Sequence, residues 1–160
     1  MAIRKFIVRL DTAASDSFYP IKLPGVGKAY FTQAKIALMR AWPEFATFTN
    51  SLVPPNMRII LQEDTDTILD PDIQGFICQV ILSPKTLTID PGFSDYNGVM
   101  ESPVEFTSIL SRAPIVDNDL VIGTRIQGTF QSGVIYVEFW YEIQVLTEQE
   151  RALIAWGAQL

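Results

Sequence analysis

The sequence predicts an all-β protein, either an antiparallel two-sheet sandwich or a closed barrel, that ends in one short helix. Two observations support this prediction. Apolar residues recur at every second position in several short segments, and glycine and proline separate those segments. With 160 residues, 48% of them hydrophobic, the chain can bury a substantial core, and residues 1–160 are expected to form a single domain.

The first predicted strand covers residues 3–10. Its alternation places Phe6, Val8 and Leu10 on an inward face. The opposite, polar face carries Ile3, Lys5, Ile7 and Arg9. Residues 12–28 contain two prolines and two glycines, which predict an irregular connection.

Residues 29–42 fit two patterns. Phe31, Ala34, Leu38 and Trp42 suit a helical stripe. One face of a strand would hold Tyr30, Ala34, Ile36, Leu38 and Trp42. We favour a strand, because no convincing N-cap residue precedes the segment and its neighbours have the β pattern. Pro43 is expected to end the element.

Shorter strands are predicted at residues 57–62, 75–82, 86–90 and 104–110, with a long connection over residues 91–103. Residues 117–130 and 133–146 follow. Their patterns and the intervening Gln-Ser-Gly predict a long hairpin over residues 119–146.

The clearest strand is GVIYVEFWYEIQVL, residues 133–146. Its odd-numbered positions from Ile135 to Val145 are all apolar and are expected to face the space between the sheets. The even-numbered positions mix aromatic and acidic residues and are expected to face outward. Tyr136 and Trp140 are therefore candidate interface residues, since exposed aromatic rings beside carboxylates are common where a second protein docks.

The last segment has helical character. Thr147 and Glu150 match a capping box, which predicts a short C-terminal helix over about residues 147–157. Trp156 lies on its apolar side and is the third candidate interface residue. An alternative interpretation is that this helix covers Tyr136 and Trp140 within the same chain.

Composition restricts the partners. The formal net charge of −6 makes direct nucleic-acid binding unlikely, because such binding needs clustered cations. The single cysteine, Cys78, lies in an apolar run and cannot form an intrachain disulfide. No apolar run reaches the length of a membrane span, about 18 residues, and no signal peptide is indicated.

The chain contains no histidine, which excludes histidine-based catalytic pairs and histidine-ligated metal sites. The residues around Lys28 resemble part of a phosphate-binding loop, but the match to that motif fails, because Ala29 stands where magnesium binding needs Ser or Thr. No cofactor is predicted. Acidic residues of a loop remain possible calcium ligands: Glu63, Asp64, Asp66, Asp70 and Asp72.

The chain as a whole resembles single jelly-roll capsid and other virion structural proteins. The resemblance lies in the short strands with proline-containing connections, the DLVIGTRIQGTF and GVIYVEFWYEIQVL segments, and the tail TEQERALIAWGAQL. It implies two four-stranded sheets in a jelly-roll-like sandwich, no catalysis, and self-association in a shell. The chain departs from many such proteins in lacking a basic terminal arm.

The leading hypothesis is therefore a virion structural subunit, made in the host cytoplasm, whose partners are copies of itself and other virion proteins. The main alternative is a carbohydrate-binding β-sandwich module, with calcium bound by the acidic loops as its candidate aid. An enzyme that works through carboxylates alone ranks third.

Overall fold

The computed structural model describes residues 2–12, 16–51, 56–82, 86–89, 96–101, 106–108, 115, 119–128 and 130–155. Within these ranges the strands are β1 (Ala2–Thr12), β2 (Ser17–Ile21), β3 (Thr32–Ser51), β4 (Asn56–Glu63), β5 (Phe76–Leu82), β6 (Thr86–Ile89), β7 (Tyr96–Glu101), β8 (Phe106–Ser108), β9 (Leu120–Gln127) and β10 (Phe130–Val145). One 3-10 turn covers Lys28–Tyr30, and one helix, α1, covers Glu148–Ala155.

The strands form two antiparallel sheets, which confirms the predicted all-β two-sheet architecture. Sheet A has the order β1-β10-β3-β7-β6, with β8 also paired to β3, and sheet B has the order β2-β9-β4-β5. The pairing is nested: β1 with β10, β2 with β9, β3 with β7 and β8, and β4 with β5. Among the described residues, sheet A thus has six strands and sheet B has four, so the two four-stranded sheets implied by the resemblance are wrong for sheet A.

The core lies between the two sheets and draws buried residues from both. The predicted inward set of β10 is confirmed at Ile135, Val137, Phe139 and Tyr141, which are fully buried. Val145 departs from the prediction, because its side chain is exposed. The pairing of β1 with β10 ends at Ala2 and Ile143, so Val145 lies beyond the part of β10 that β1 flanks.

The predicted hairpin over residues 119–146 is wrong. β9 pairs with β2 and β4 in sheet B, whereas β10 pairs with β1 and β3 in sheet A. Gly128, with φ of 96°, lies where the chain leaves one sheet for the other. Period-2 alternation shows that both strands bury a face in the core but carries no information on which strand each one pairs with.

Residues 32–51 form a strand, as favoured for most of segment 29–42, but Pro43 does not end it. Pro43 pairs with Ile135 next to a register shift. On its other side it lies between Met39–Ala41, which pair with β8, and Phe45–Ser51, which pair with β7. A proline fits a strand at such an irregularity, because no continuous ladder requires its missing N–H.

Two strands lie in segments that we expected to be connections. β2 falls within residues 12–28 and β7 within residues 91–103. β2 contains Pro20, which is compatible with a strand because β2 is at the edge of sheet B. Pro20 therefore indicates an edge strand and not the end of a strand.

The described part of the C-terminal helix begins as predicted. The amide of Glu150 donates to Oγ1 of Thr147 at 3.2 Å, and Oε2 of Glu150 accepts from the Thr147 amide at 3.2 Å. Residues 156 and 157 of the predicted helix lie outside the described ranges. Among the helical residues that are described, no segment is long and apolar enough to cross a membrane.

Candidate interaction surface

The outer face of sheet A points away from the core. Trp140 and Glu138 of β10 belong to this face, because their neighbours along the strand point into the core. The register with β1 places Lys5 opposite Trp140 and Ile7 opposite Glu138. Aromatic, charged and aliphatic side chains therefore lie side by side on this face.

Three large apolar side chains on this face are exposed. The exposed fraction is 59% for Ile3, 46% for Ile7 and 40% for Trp140. The ammonium nitrogen of Lys5 lies 5.9 Å from the centroid of the Trp140 ring, within the range of a cation–π contact. These four residues are called the β1–β10 patch below.

Glu138 lies next to the patch and, against expectation for the outward set, is only 1% exposed. Its Oε2 accepts a hydrogen bond from Nε of Arg40, and its Oε1 lies 3.7 Å from Nζ of Lys5. A buried carboxylate requires such partners, since its desolvation is costly. Arg40 and Lys5 thus stabilise the Glu138 carboxylate, which lies beneath the neighbouring side chains of the outer face.

Tyr136 is partly buried by its own sheet. Its ring stacks on Trp42, with centroids 5.8 Å apart and an angle of 20° between the planes. Its hydroxyl donates to Oε2 of Glu44 at 2.9 Å, and Cζ of Arg40 lies 5.6 Å from the centroid of the Trp42 ring. Tyr136 therefore stabilises the surface, whereas Trp140 is presented on it.

A β-bulge determines which part of β3 reaches this face. The register changes between the pairs Trp140–Leu38 and Tyr141–Ile36. The extra residue shifts the alternation, so Leu38 and Trp42 lie on the outer face and not on the inward face of Ile36. The single strand face expected for residues 29–42 is therefore wrong beyond Ile36.

The three candidate interface residues have different positions. Trp140 is exposed, Tyr136 is partly buried, and Trp156 lies outside the described residues. In α1, the guanidinium of Arg151 lies 4.9 Å from the ring centroid of Phe31, and its Nε donates to the Leu146 carbonyl. The described helix is therefore next to Phe31, and Trp140 stays exposed.

The sequence interpretation missed Ile3 and Ile7 as surface candidates. Both belong to the alternating set of Lys5 and Arg9, which was assigned to a polar face. The sequence did indicate apolar surface at this position, because Ile3 and Ile7 are two isoleucines on one solvent-facing side of a strand.

The outer face of sheet B, by contrast, is covered in part by residues 64–75. The side chain of Gln62 holds this loop: its Nε2 donates to the Thr67 carbonyl at 2.8 Å, and its Oε1 accepts from the Leu69 amide at 3.0 Å. Ile68 lies against Gly123, where an added Cβ would come within 2.6 Å of the isoleucine Cδ1. The chain's own loop thus covers this face around Gln62 and Gly123, while Ile81 of β5 stays 44% exposed on the same face.

The acidic residues of this loop do not converge. Asp70 pairs with Nη1 of Arg58 at 3.5 Å, and the Asp64 amide donates to the Asp119 carbonyl. Among the residues that the structure describes, no three acidic or thiol side chains form a group able to hold a metal ion.

No protein-family model matches this chain, and no curated protein matches it significantly.

Proposed function

We propose that this chain is a structural subunit of a virion, a capsid protein that acts by self-assembly and protein–protein contacts without catalysis. It would reside in the virion after synthesis in the host cytoplasm. Its partners would be further copies of the chain and other virion proteins.

The exposed β1–β10 patch is the observation that supports this proposal most. Sheet B covers the part of its outer face around Gly123 with the chain's own loop, whereas sheet A presents Ile3, Ile7 and Trp140 side by side to solvent. Tryptophan is enriched among residues that dominate binding energy, and neighbouring apolar contacts exclude water around it. An assembly contact would give this surface the cover that the described residues of the chain do not supply.

The net charge of the chain determines which class of partner the proposal excludes. With a net charge of −6, contact with packaged nucleic acid is not part of it. Three cations of the outer face are already engaged by carboxylates: Lys5 and Arg40 by Glu138, and Arg9 by Asp11. The face therefore suits a protein partner better than a polyanion.

Mass photometry and sedimentation of the purified chain test the proposal. We expect concentration-dependent oligomers, and Trp140→Ala should weaken association by about 2 kcal/mol or more, roughly a 30-fold change in dissociation constant. The matched control is Ile73→Ala, which removes an exposed apolar side chain from the opposite side of the sandwich. A strict monomer at high concentration, or equal effects of the two variants, would contradict assembly through this patch.

A carbohydrate-binding module is the second candidate, favoured by a separate pair of exposed rings. Tyr30 and Phe31 are both exposed, and Phe31 has a φ of 51°, which is rare for a residue with a side chain. Such rings can stack on sugars. Glycan-array binding that is lost in Tyr30→Ala but kept in Trp140→Ala would favour this alternative over assembly.

A further inference from the structure

β1 is an edge strand with one free side. It covers 11 residues, and among the described residues its only strand partner is β10. A long exposed edge is a template for pairing with another chain. Natural sheets that leave such an edge free usually protect it, so the side chains of β1 determine what can pair with it.

The inward side of this edge is not fully covered. Phe6 and Val8 pack against the core but stay only partly buried, whereas Leu10 further along the strand is buried. The outward side carries charges that stay accessible to a neighbour, although Lys5 has Glu138 and Asp11 has Arg9 as an ion-pair partner in the same chain: the exposed fractions of the Lys5 and Asp11 side chains are 53% and 74%. A partner strand would cover the partly buried side chains of the inward side and contact the charged side chains of the outward side.

A second copy can pair with β1 antiparallel about a two-fold axis, and the charges discriminate between registers. Centring the pair on Ile7 places Lys5 opposite Arg9 of the other copy. Centring it on Lys5 or Arg9 places that cation opposite itself, and like charges directly opposite are destabilising. Centring it on Phe6 forms no ion pair, because Lys5 then faces Ile7 and Ile3 faces Arg9.

Centring the pair on Val8 places Lys5 opposite Asp11 at both ends, so two ion pairs form by symmetry. On the inward side it places Val8 opposite Val8, and Phe6 opposite Leu10, which extends the apolar core across the axis. Residues 4–12 of both copies then overlap.

Only one other register pairs opposite charges. Centring on Leu10 places Arg9 opposite Asp11, but the overlap is limited to residues 8–12. The hydroxyl of Tyr19 donates to the Asp11 carbonyl at 2.9 Å, which lies beside the axis of the Leu10 pairing but near the end of the Val8 pairing. The Val8 register therefore gives the longer pairing with attractive charges.

We propose that two copies of this chain join sheet A into one continuous sheet by antiparallel β1–β1 pairing about a two-fold axis at Val8. The inference rests on the proposed function, because it specifies one contact of the assembly. The interface is isologous, so it closes at the dimer and leaves the β1–β10 patch of both copies on the same outer face.

Cysteine cross-linking tests the register directly. Under mild oxidation, single variants Phe6→Cys, Ile7→Cys, Val8→Cys and Arg9→Cys should link to themselves only at the residue on the axis, because directly opposite residues in an antiparallel pair have Cα atoms about 4.5–5.5 Å apart. We expect at least fivefold more cross-linked dimer for Val8→Cys than for the other three. Cys78 does not compete, since it is buried.

A mixture of two exposed variants keeps the test independent of folding at Val8. Lys5→Cys and Asp11→Cys should each fail to link alone and should link when mixed. Asp11→Lys, which places like charges opposite each other twice, should weaken dimerisation about tenfold.

The outcomes separate the two proposals. Cross-links at Val8 and in the mixture support the β1 dimer. Oligomers that link through Ile7 or another position, or through none of them, overturn this dimer but leave assembly standing. A chain that stays monomeric and forms no cross-links overturns both.

Discussion

The guanidinium of Arg40 on β3 donates to the buried carboxylate of Glu138 on β10, directly across the ladder. This pair lies on the outer face of sheet A, where the sequence pattern predicts solvent exposure. Lys5 supplies the second cation from β1. The centre of the outer face is thus stabilised by two ion pairs that link three adjacent strands, beside the exposed ring of Trp140.

Removal of the central anion should destabilise the sandwich. We expect Glu138→Ala to lower the free energy of unfolding by about 2 kcal/mol, because two cations lose their partner while staying partly solvated. Urea denaturation measures the change. Glu142→Ala, four residues further along β10 and on the same face, should stay within about 0.5 kcal/mol of the wild type; equal losses would mean that the Glu138 pair has no special role.

The contact between Gly123 and Ile68 should behave as a coupled pair. A Cβ at residue 123 would lie 2.6 Å from Cδ1 of Ile68, so Gly123→Ala should lower the free energy of unfolding by about 1 kcal/mol. In an Ile68→Val background, which lacks that methyl group, the same change should cost nothing. A double-mutant cycle by denaturation gives the coupling, and additive effects would show that the loop does not rest on Gly123.

The hydroxyl of Thr124 is buried without a hydrogen-bond partner among the described residues. Thr124→Val should therefore raise the free energy of unfolding by about 1 kcal/mol, since it removes an unsatisfied polar group while keeping the shape. Thr12→Val is the matched control: the Thr12 hydroxyl donates to the Gly133 carbonyl at 2.9 Å, so this change should destabilise. Thermal unfolding of both variants should show shifts of opposite sign.

Burial raises the pKa of the Cys78 thiol to about 12, from 9.0 for a solvated thiol. Above pH 9 the unfolded chain releases this proton while the folded chain retains it. The free energy of unfolding should therefore fall as the pH rises from about 9 to about 12, by at most about 1.4 kcal/mol per pH unit. Unfolding curves of wild type and Cys78→Ala across this range should converge as the pH rises; parallel curves would contradict the burial effect.

The β pattern itself could be predicted because it is local. Alternation identified β1, β4, β5 and β10 and the inward side of β1 and β10, and the capping residues Thr147 and Glu150 identified the start of α1. The prolines were less informative. Pro20 and Pro43 both lie in strands, at an edge and at a register shift, and only the neighbouring strands show that those positions need no continuous ladder.

The surface could be predicted in part. Trp140 was identified as outward and is exposed, whereas Trp42 reaches the same face only because a bulge shifts the alternation after Ile36. One inserted residue reverses every later side chain of a strand, and no local signal in the sequence marks it.

By itself, the sequence determined the class of fold and the chemistry that is excluded. Those properties depend on composition and on the two-residue period of a strand, which a chain carries without reference to its neighbours. The tertiary structure alone decided that β9 and β10 belong to different sheets, that Glu138 is buried among cations, and that β1 has β10 as its only strand partner within the described ranges. Each of these depends on contacts between residues far apart in the chain, where pairing partners compete and the lowest free energy of the whole sandwich selects among them.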